Sequence, residues 1–279
     1  MTLIEFLSEP LSYAFIQRGL IALVLIGAIS GVVGAYIVVR GMSFFGNALA
    51  HTILPGVALS YTASSGTVGS NLFVGGLAAG VVSALGIAWL THKNRLKEDT
   101  AIGIVFVSMF ALGVAIISTQ GNYNVDLTHI LFGSILGISR TDLEIMAFLG
   151  GVVVITIALL YKEFLVLSFD MGLAYTLKLP VEVLRVLLLL LIAVTIVASL
   201  QAVGIALMLA LLIAPAATAQ LFVKRLHHMM LFASILGVIS GVIGFYASYY
   251  LDVPSGASIV LTMTAIFALA FVFSQLRKG

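Results

Sequence analysis

The sequence predicts an all-α, polytopic membrane bundle of eight to ten spans, with nine the preferred count. Composition is the first reason. Of 279 residues, 62% are hydrophobic and 9% charged, against about 45–50% and about 25% in ordinary soluble domains. A soluble globule could not hide that much apolar surface, and the mean hydropathy of +1.23 agrees. The second reason is length: apolar runs of roughly 20 residues, enough to cross a hydrocarbon core, recur along the chain. Third, all eleven acidic residues fall in loops or at the ends of those runs.

The runs lie at about 19–39, 42–62, 70–90, 101–118, 143–161, 181–200, 202–222, 229–251 and 256–276. The stretch 127–138 (LTHILFGSILGI) is apolar but short. It reads equally as a re-entrant helix, an interfacial helix or part of a span. Residues 1–18 carry Glu5 and Glu9 and no basic n-region, unlike a secretory signal peptide.

Orientation comes from the basic residues. With nine spans, Arg40, Lys93, Arg95, Lys97, Lys162, Lys178, Arg185, Lys224, Arg225, Arg277 and Lys278 share one side. Only Arg18 and Arg140 of the 13 Lys and Arg fall opposite. The positive-inside rule makes the crowded side cytoplasmic. The N-terminus is then expected outside and the C-terminus inside.

The longest internal cytoplasmic segment is 162–180, KEFLVLSFDMGLAYTLKLP. Its middle reads as a short amphipathic helix with Asp170 near its start and Pro180 as its stop. It is either a plain interfacial helix or a docking element for a cytoplasmic partner. Small residues one turn apart recur, as in Gly27–Gly31, Gly76–Gly80 and Gly237–Gly241. They let helix backbones approach closely in lipid and say nothing about chemistry.

Several function classes drop out. A net charge of +2, with basic residues in short loops, does not suit nucleic-acid binding. There is no Cys, hence no disulfide and no thiolate ligand. No carboxylate sits mid-span, where an ion-coupled transporter normally keeps one. No G-x-x-x-x-G-K-[ST] loop is present, so ATP hydrolysis would belong to a separate chain. H-E-x-x-H and G-x-S-x-G are also absent, which leaves an intramembrane hydrolase without machinery.

The polar exceptions within spans are few. His51 lies about 11 residues past Arg40, roughly 16 Å into the core. Asn47 is one turn earlier on the same helix face. An imidazole and an amide oxygen so placed can ligate a divalent ion, or can hydrogen-bond across helices and hold the bundle together. Pro55 removes the usual partner of the His51 carbonyl, which is expected to be free to line a pathway. Asp126 and His129, three apart on the outer side, form a weaker candidate pair for an incoming cation, with helix capping by Asp126 as the alternative. His92, His227 and His228 flank basic loops and read as interfacial. Pro215 is expected to kink the seventh span.

Six segments in one order carry a resemblance: RGMSFFGNALAHTILPGVAL (Arg40–Leu59), EDTAIGIVF (Glu98–Phe106), LTHILFG (Leu127–Gly133), Ser168–Ala174 with Pro180, Gln201–Gly204 followed by LIAPAATA (Leu212–Ala219), and PSGASIVL (Pro254–Leu261). Together they resemble the membrane-spanning permease of bacterial ATP-binding-cassette importers for manganese, zinc and iron, over nearly the whole chain. The resemblance implies a type II importer permease, a single transmembrane domain over 1–279 in the bacterial cell membrane. It implies a homodimer with a pathway on its axis, two cytoplasmic ATPase subunits and an extracytoplasmic metal-binding protein. The divalent ion would be cargo, with no cofactor held permanently. The family's transport ligands are an Asp and a His in the second span; His51 matches the His, and Asn47 stands where the Asp is expected. Phe169, Asp170, Leu173, Ala174 and Pro180 match the segment that docks on the ATPase, with Lys178 where that segment commonly has Gly. Two other readings are a permease of the same architecture for a metal chelate, and a non-transporting membrane scaffold.

Overall fold

The computed structural model describes residues 9–63, 70–92, 96–119 and 135–277. Within them the chain forms helices α1 (Ala14–Val39), α2 (Ser43–Thr52), α3 (Leu54–Ala63), α4 (Ser70–Thr91), α5 (Glu98–Ser118), α6 (Arg140–Leu159), α7 (Tyr161–Phe169), α8 (Met171–Thr176), α9 (Val181–Phe222), α10 (Leu226–Leu251) and α11 (Ser255–Leu276). The described residues contain no strand. An apolar chain in lipid satisfies its backbone polar groups internally, and a helix does so within one segment.

Among the described residues, eight helical stretches are long and apolar enough to cross a membrane, α9 supplying two of them as Val181–Leu200 and Ala202–Phe222. The ninth apolar segment, expected as one span over 42–62, is instead two ten-residue helices, α2 and α3, that meet at Ile53. Pro55 has no amide proton and its ring crowds the preceding turn, so the helix breaks just before it. Of the described acidic residues, Glu98, Asp99, Asp142, Glu163 and Glu182 sit in first turns and Asp170 and Asp252 at caps, at the element ends where the sequence placed them.

The chain folds as two compact units that alternate along the sequence. The first unit takes residues 1–38, 127–154 and 199–279. Here α1 and α10 come backbone to backbone. A side chain at Gly31 would collide with the Ser234 backbone, and one at Gly27 would lie 2.8 Å from the Gly237 carbonyl carbon. Such approach maximises dispersion contact where no hydrophobic effect drives helices together. In the same unit, α6 opens on a capping box: the Ser139 amide donates to the Asp142 carboxylate at 3.0 Å and the Asp142 amide to the Ser139 hydroxyl at 3.1 Å.

The expected kink at Pro215 is not where the backbone departs from helix. Inside α9 the residue with non-helical torsions is Gly204, at φ 76° and ψ 172°. That combination is nearly closed to any residue with a Cβ. Pro215 stays within helical geometry.

The second unit takes residues 39–126 and 155–198, and it holds most of the functional candidates. Gly56 of α3 and Gly75 of α4 pack so closely that a side chain at either would strike the other's carbonyl oxygen. This contact anchors α3, and with it the break at Ile53. Asp126 and His129, with most of 127–138, lie outside the described residues.

Candidate functional site

On α2 the small and apolar side chains turn inward: Phe45, Ala48, Leu49, Ala50 and Thr52 are buried. Asn47 and His51 are only half-buried. Being four apart they share one face, and that face continues to Phe44, which is exposed. Across from it, Phe106 and Phe110 of α5 stand 5.9 and 6.0 Å from the His51 ring, the second edge-on at 88°. Phe44 meets Phe106 at 6.1 Å. The imidazole therefore sits against an aromatic wall, and no hydrogen bond from the described residues holds either ring nitrogen.

The His51 carbonyl is not free as expected. The Ile53 amide donates to it at the α2 terminus, replacing the donor that Pro55 lacks. The backbone at the break is thereby satisfied locally, and the side chains of Asn47 and His51 are what α2 offers a ligand. Among the described residues no three His, Cys, Asp or Glu side chains form a cluster that could hold a metal ion. At this position the chain offers two polar side chains, Asn47 and His51, on one face.

The segment expected to dock a partner forms α7, a cap and α8. Asp170 leaves the helix in an extended conformation (φ −150°, ψ 96°) and its carboxylate accepts the Leu173 amide at 2.9 Å. This is an ordinary N-cap. At the other end the Lys178 amide donates to the Tyr175 carbonyl at 3.0 Å and the Leu179 amide to the Ala174 carbonyl at 3.1 Å. Those two bonds make a Schellman turn, whose pivot residue is left-handed. Lys178 occupies that pivot at φ 54°. Phe169 and Leu173 project outward, 61% and 46% exposed, and Pro180 is exposed as well. Ala174 is fully buried, so it seats α8 on the protein and does not present a surface.

Where the α1–α2 link, the end of α4 and the starts of α5 and α9 converge, five ionisable side chains gather. The Arg40 guanidinium donates to Glu98 Oε1 at 2.5 Å. Arg185, only 2% exposed, donates from Nη1 to the Thr91 carbonyl at 3.1 Å and from Nη2 to Met171 Sδ at 3.3 Å. Its Nε lies 3.9 Å from the same Glu98 oxygen, and its Nη1 3.8 Å from Glu182. His92 Nδ1 is 3.4 Å from Glu182. Burial draws the Arg40 pKa below the usual arginine value, the Arg185 charge pulls the same way, and Glu98 opposes both. A guanidinium stays protonated regardless.

Residues 12–274 of the chain match the ABC 3 transport family. The chain belongs to that family. A relative in it, the manganese transport system membrane protein MntC of Listeria monocytogenes, is 45% identical over 96% of this chain and 94% of its own length. The chelated iron transport system membrane protein YfeD of Yersinia pestis is 35% identical over 99% of this chain and 91% of its own length. Among solved structures, PsaBC from Streptococcus pneumoniae in complex with Fab superposes with a TM-score of 0.81 at 36% identity, covering 97% of this chain and 95% of that one.

For this ABC 3 family chain, then, the structure brings Asn47 and His51 to one half-open face and Phe169, Asp170 and Leu173 to one exposed cap. It buries Ala174 and leaves Asp126 and His129 undescribed. What the sequence reading missed is Arg185, counted there as one more inner-side charge. Its position five residues after Pro180, inside an apolar run, was the available signal.

Proposed function

We propose that the chain is the membrane-spanning permease subunit of an ATP-driven importer of divalent transition-metal ions, manganese or zinc foremost, with iron also accepted. The observation that carries this reading is the half-open Asn47–His51 face on a helix broken before Pro55. Relatives named for manganese transport support it. Residues 1–279 act as one permease domain in the bacterial cell membrane, with the N-terminus outside and the C-terminus cytoplasmic. Two copies face each other, so that Asn47 and His51 from both give up to four side-chain ligands near mid-membrane. Asp126 and His129 receive the ion on the outer side. Imidazole suits Zn²⁺, and the amide oxygens are the harder ligands that admit Mn²⁺.

Two cytoplasmic ATPase subunits hydrolyse ATP, and an extracytoplasmic binding protein delivers the metal. Phe169, Asp170, Leu173 and Pro180 meet the ATPase, with Ala174 as the seat of the docking helix. The test is uptake of Mn²⁺, Zn²⁺ and Fe²⁺ in parallel by the reconstituted complex with loaded binding protein. ATP-dependent accumulation of one ion supports the reading; accumulation of none refutes it. A second reading, transport of a chelated metal, is favoured by the name of the Yersinia relative. It requires uptake of the chelate alone and indifference to His51→Ala.

A further inference from the structure

We propose that Arg185 is a positioning residue that links the docking helix α8 to the ligand-bearing helix α2, through the Glu98 carboxylate that it shares with Arg40. The inference rests on the transport reading above and adds the route by which α8 reaches the metal site.

Helix α8 is tied at both ends to the start of α9. Met171, its first residue, accepts Nη2 of Arg185 at 3.3 Å, and the Tyr175 hydroxyl donates to Glu182 at 3.3 Å. Arg185 in turn stands between two carboxylates, 3.8 Å from Glu182 and 3.9 Å from Glu98. Both distances fall beyond a hydrogen bond, and the buried Nε has no hydrogen-bond partner. Arg40 holds the same Glu98 oxygen at 2.5 Å. Two buried guanidinia thus compete for one oxygen, and Arg40 has it.

An unpaired buried donor beside a carboxylate is a costly arrangement that a small shift relieves. Movement of α8 by about an ångström, carried through Met171 and Tyr175, brings Nε of Arg185 onto Glu98 and loosens Arg40. Closely packed charge clusters have discrete arrangements of this kind rather than a continuum. The consequences fall on the metal site. Arg40 lies three residues before α2, which bears Asn47 and His51. Glu98 is the first residue of α5, which bears Phe106 and Phe110. Exchange of partners on Glu98 therefore frees the two helices that flank the ion path, without any contact between α8 and the path itself.

The experiment uses the reconstituted permease–ATPase complex with loaded binding protein and Mn²⁺. It compares wild type, Arg185→Gln, Glu98→Gln and the double variant. The proposal expects Arg185→Gln to keep ATP hydrolysis within threefold of wild type while metal moved per ATP falls at least tenfold. The double variant should be no worse than either single one. Unchanged metal per ATP, or losses that multiply in the double variant, overturns the link. A merely structural role would lower hydrolysis and uptake in step, so a proportional loss overturns it too. The second measurement needs no transport: hydrogen exchange on the purified permease. Met171→Ala should alter exchange at 43–46 and 98–101 in the wild-type background and leave it unchanged in Arg185→Gln. Equal changes in both backgrounds overturn the proposal. Should the wild-type complex accumulate no metal, the transport reading fails by itself, and the exchange result still decides the link.

Discussion

The Ser234 hydroxyl donates to the Ala28 carbonyl at 2.8 Å, across a helix pair separated in sequence by 206 positions. The bond forms because Gly27 and Gly31 let α1 lie directly on the α10 backbone. Gly31→Leu places a side chain into the Ser234 backbone and forces the helices apart. A loss of about 3 kcal/mol or more is expected, at the upper end of overpacking effects. Gly241→Ala is the control, since its added carbon meets Leu23 at an ordinary 3.6 Å. Thermal unfolding in detergent should separate the two clearly; equal midpoints would refute the close-approach account.

The N-cap of α8 makes a second prediction. Asp170→Ala removes the acceptor of the Leu173 amide, at about 1 kcal/mol. In a helix of six residues this is enough to fray the first turn. Amide exchange at Leu173 should accelerate about fivefold, the factor that 1 kcal/mol represents. Asp170→Asn keeps an acceptor oxygen and should stay within twofold of wild type. Acceleration by both alike would mean that charge, not capping, holds the turn.

Lys178 departs from the glycine expected at its position, yet the left-handed turn forms around it. For a residue with a Cβ that conformation costs about 1 kcal/mol. Lys178→Gly relieves it, less the chain entropy that Gly loses on folding. Lys178→Val, β-branched, should be the worse variant by about 1 kcal/mol or more. Exchange at Lys178 and Leu179 reads the order Gly, Lys, Val from slow to fast. A reversed order would contradict the turn.

How much of this was legible in the sequence depends on the range of the forces involved. Span positions were legible because hydropathy and length act locally: 202–222 and 256–276 match the second stretch of α9 and the whole of α11 to within a residue or two. Asp170 was legible as the start of α8 for the same reason, whereas the helix stops before Pro180, at the turn on Lys178. The break at Ile53 is half-legible, since Pro55 marks a helix breaker while hydropathy makes 42–62 one continuous apolar run. Gly204 was not, because hydropathy carries no torsion. Arg185 was not, because what makes it special is Thr91, 94 positions away, and Glu98. The aromatic wall beside His51 was missed likewise, being built from another helix.

Asn47 stands where a carboxylate was expected, and the structure leaves that face half-open. Asn47→Asp adds a negative charge one turn from His51. At an effective dielectric of about 20 a nearby opposite charge gains several kcal/mol, of which desolvation removes a large part. The Mn²⁺ concentration for half-maximal uptake should fall by about tenfold or more. No change would place Asn47 off the ion path.

The central claim is that a divalent ion passes beside His51. The direct test is ATP-dependent uptake by the reconstituted complex, with loaded binding protein, for wild type and His51→Ala at matched protein levels. The account predicts that accumulation of the transported ion falls at least a hundredfold, while ATP hydrolysis without metal is unchanged. Uptake by His51→Ala within twofold of wild type would contradict it and move the ligands away from α2.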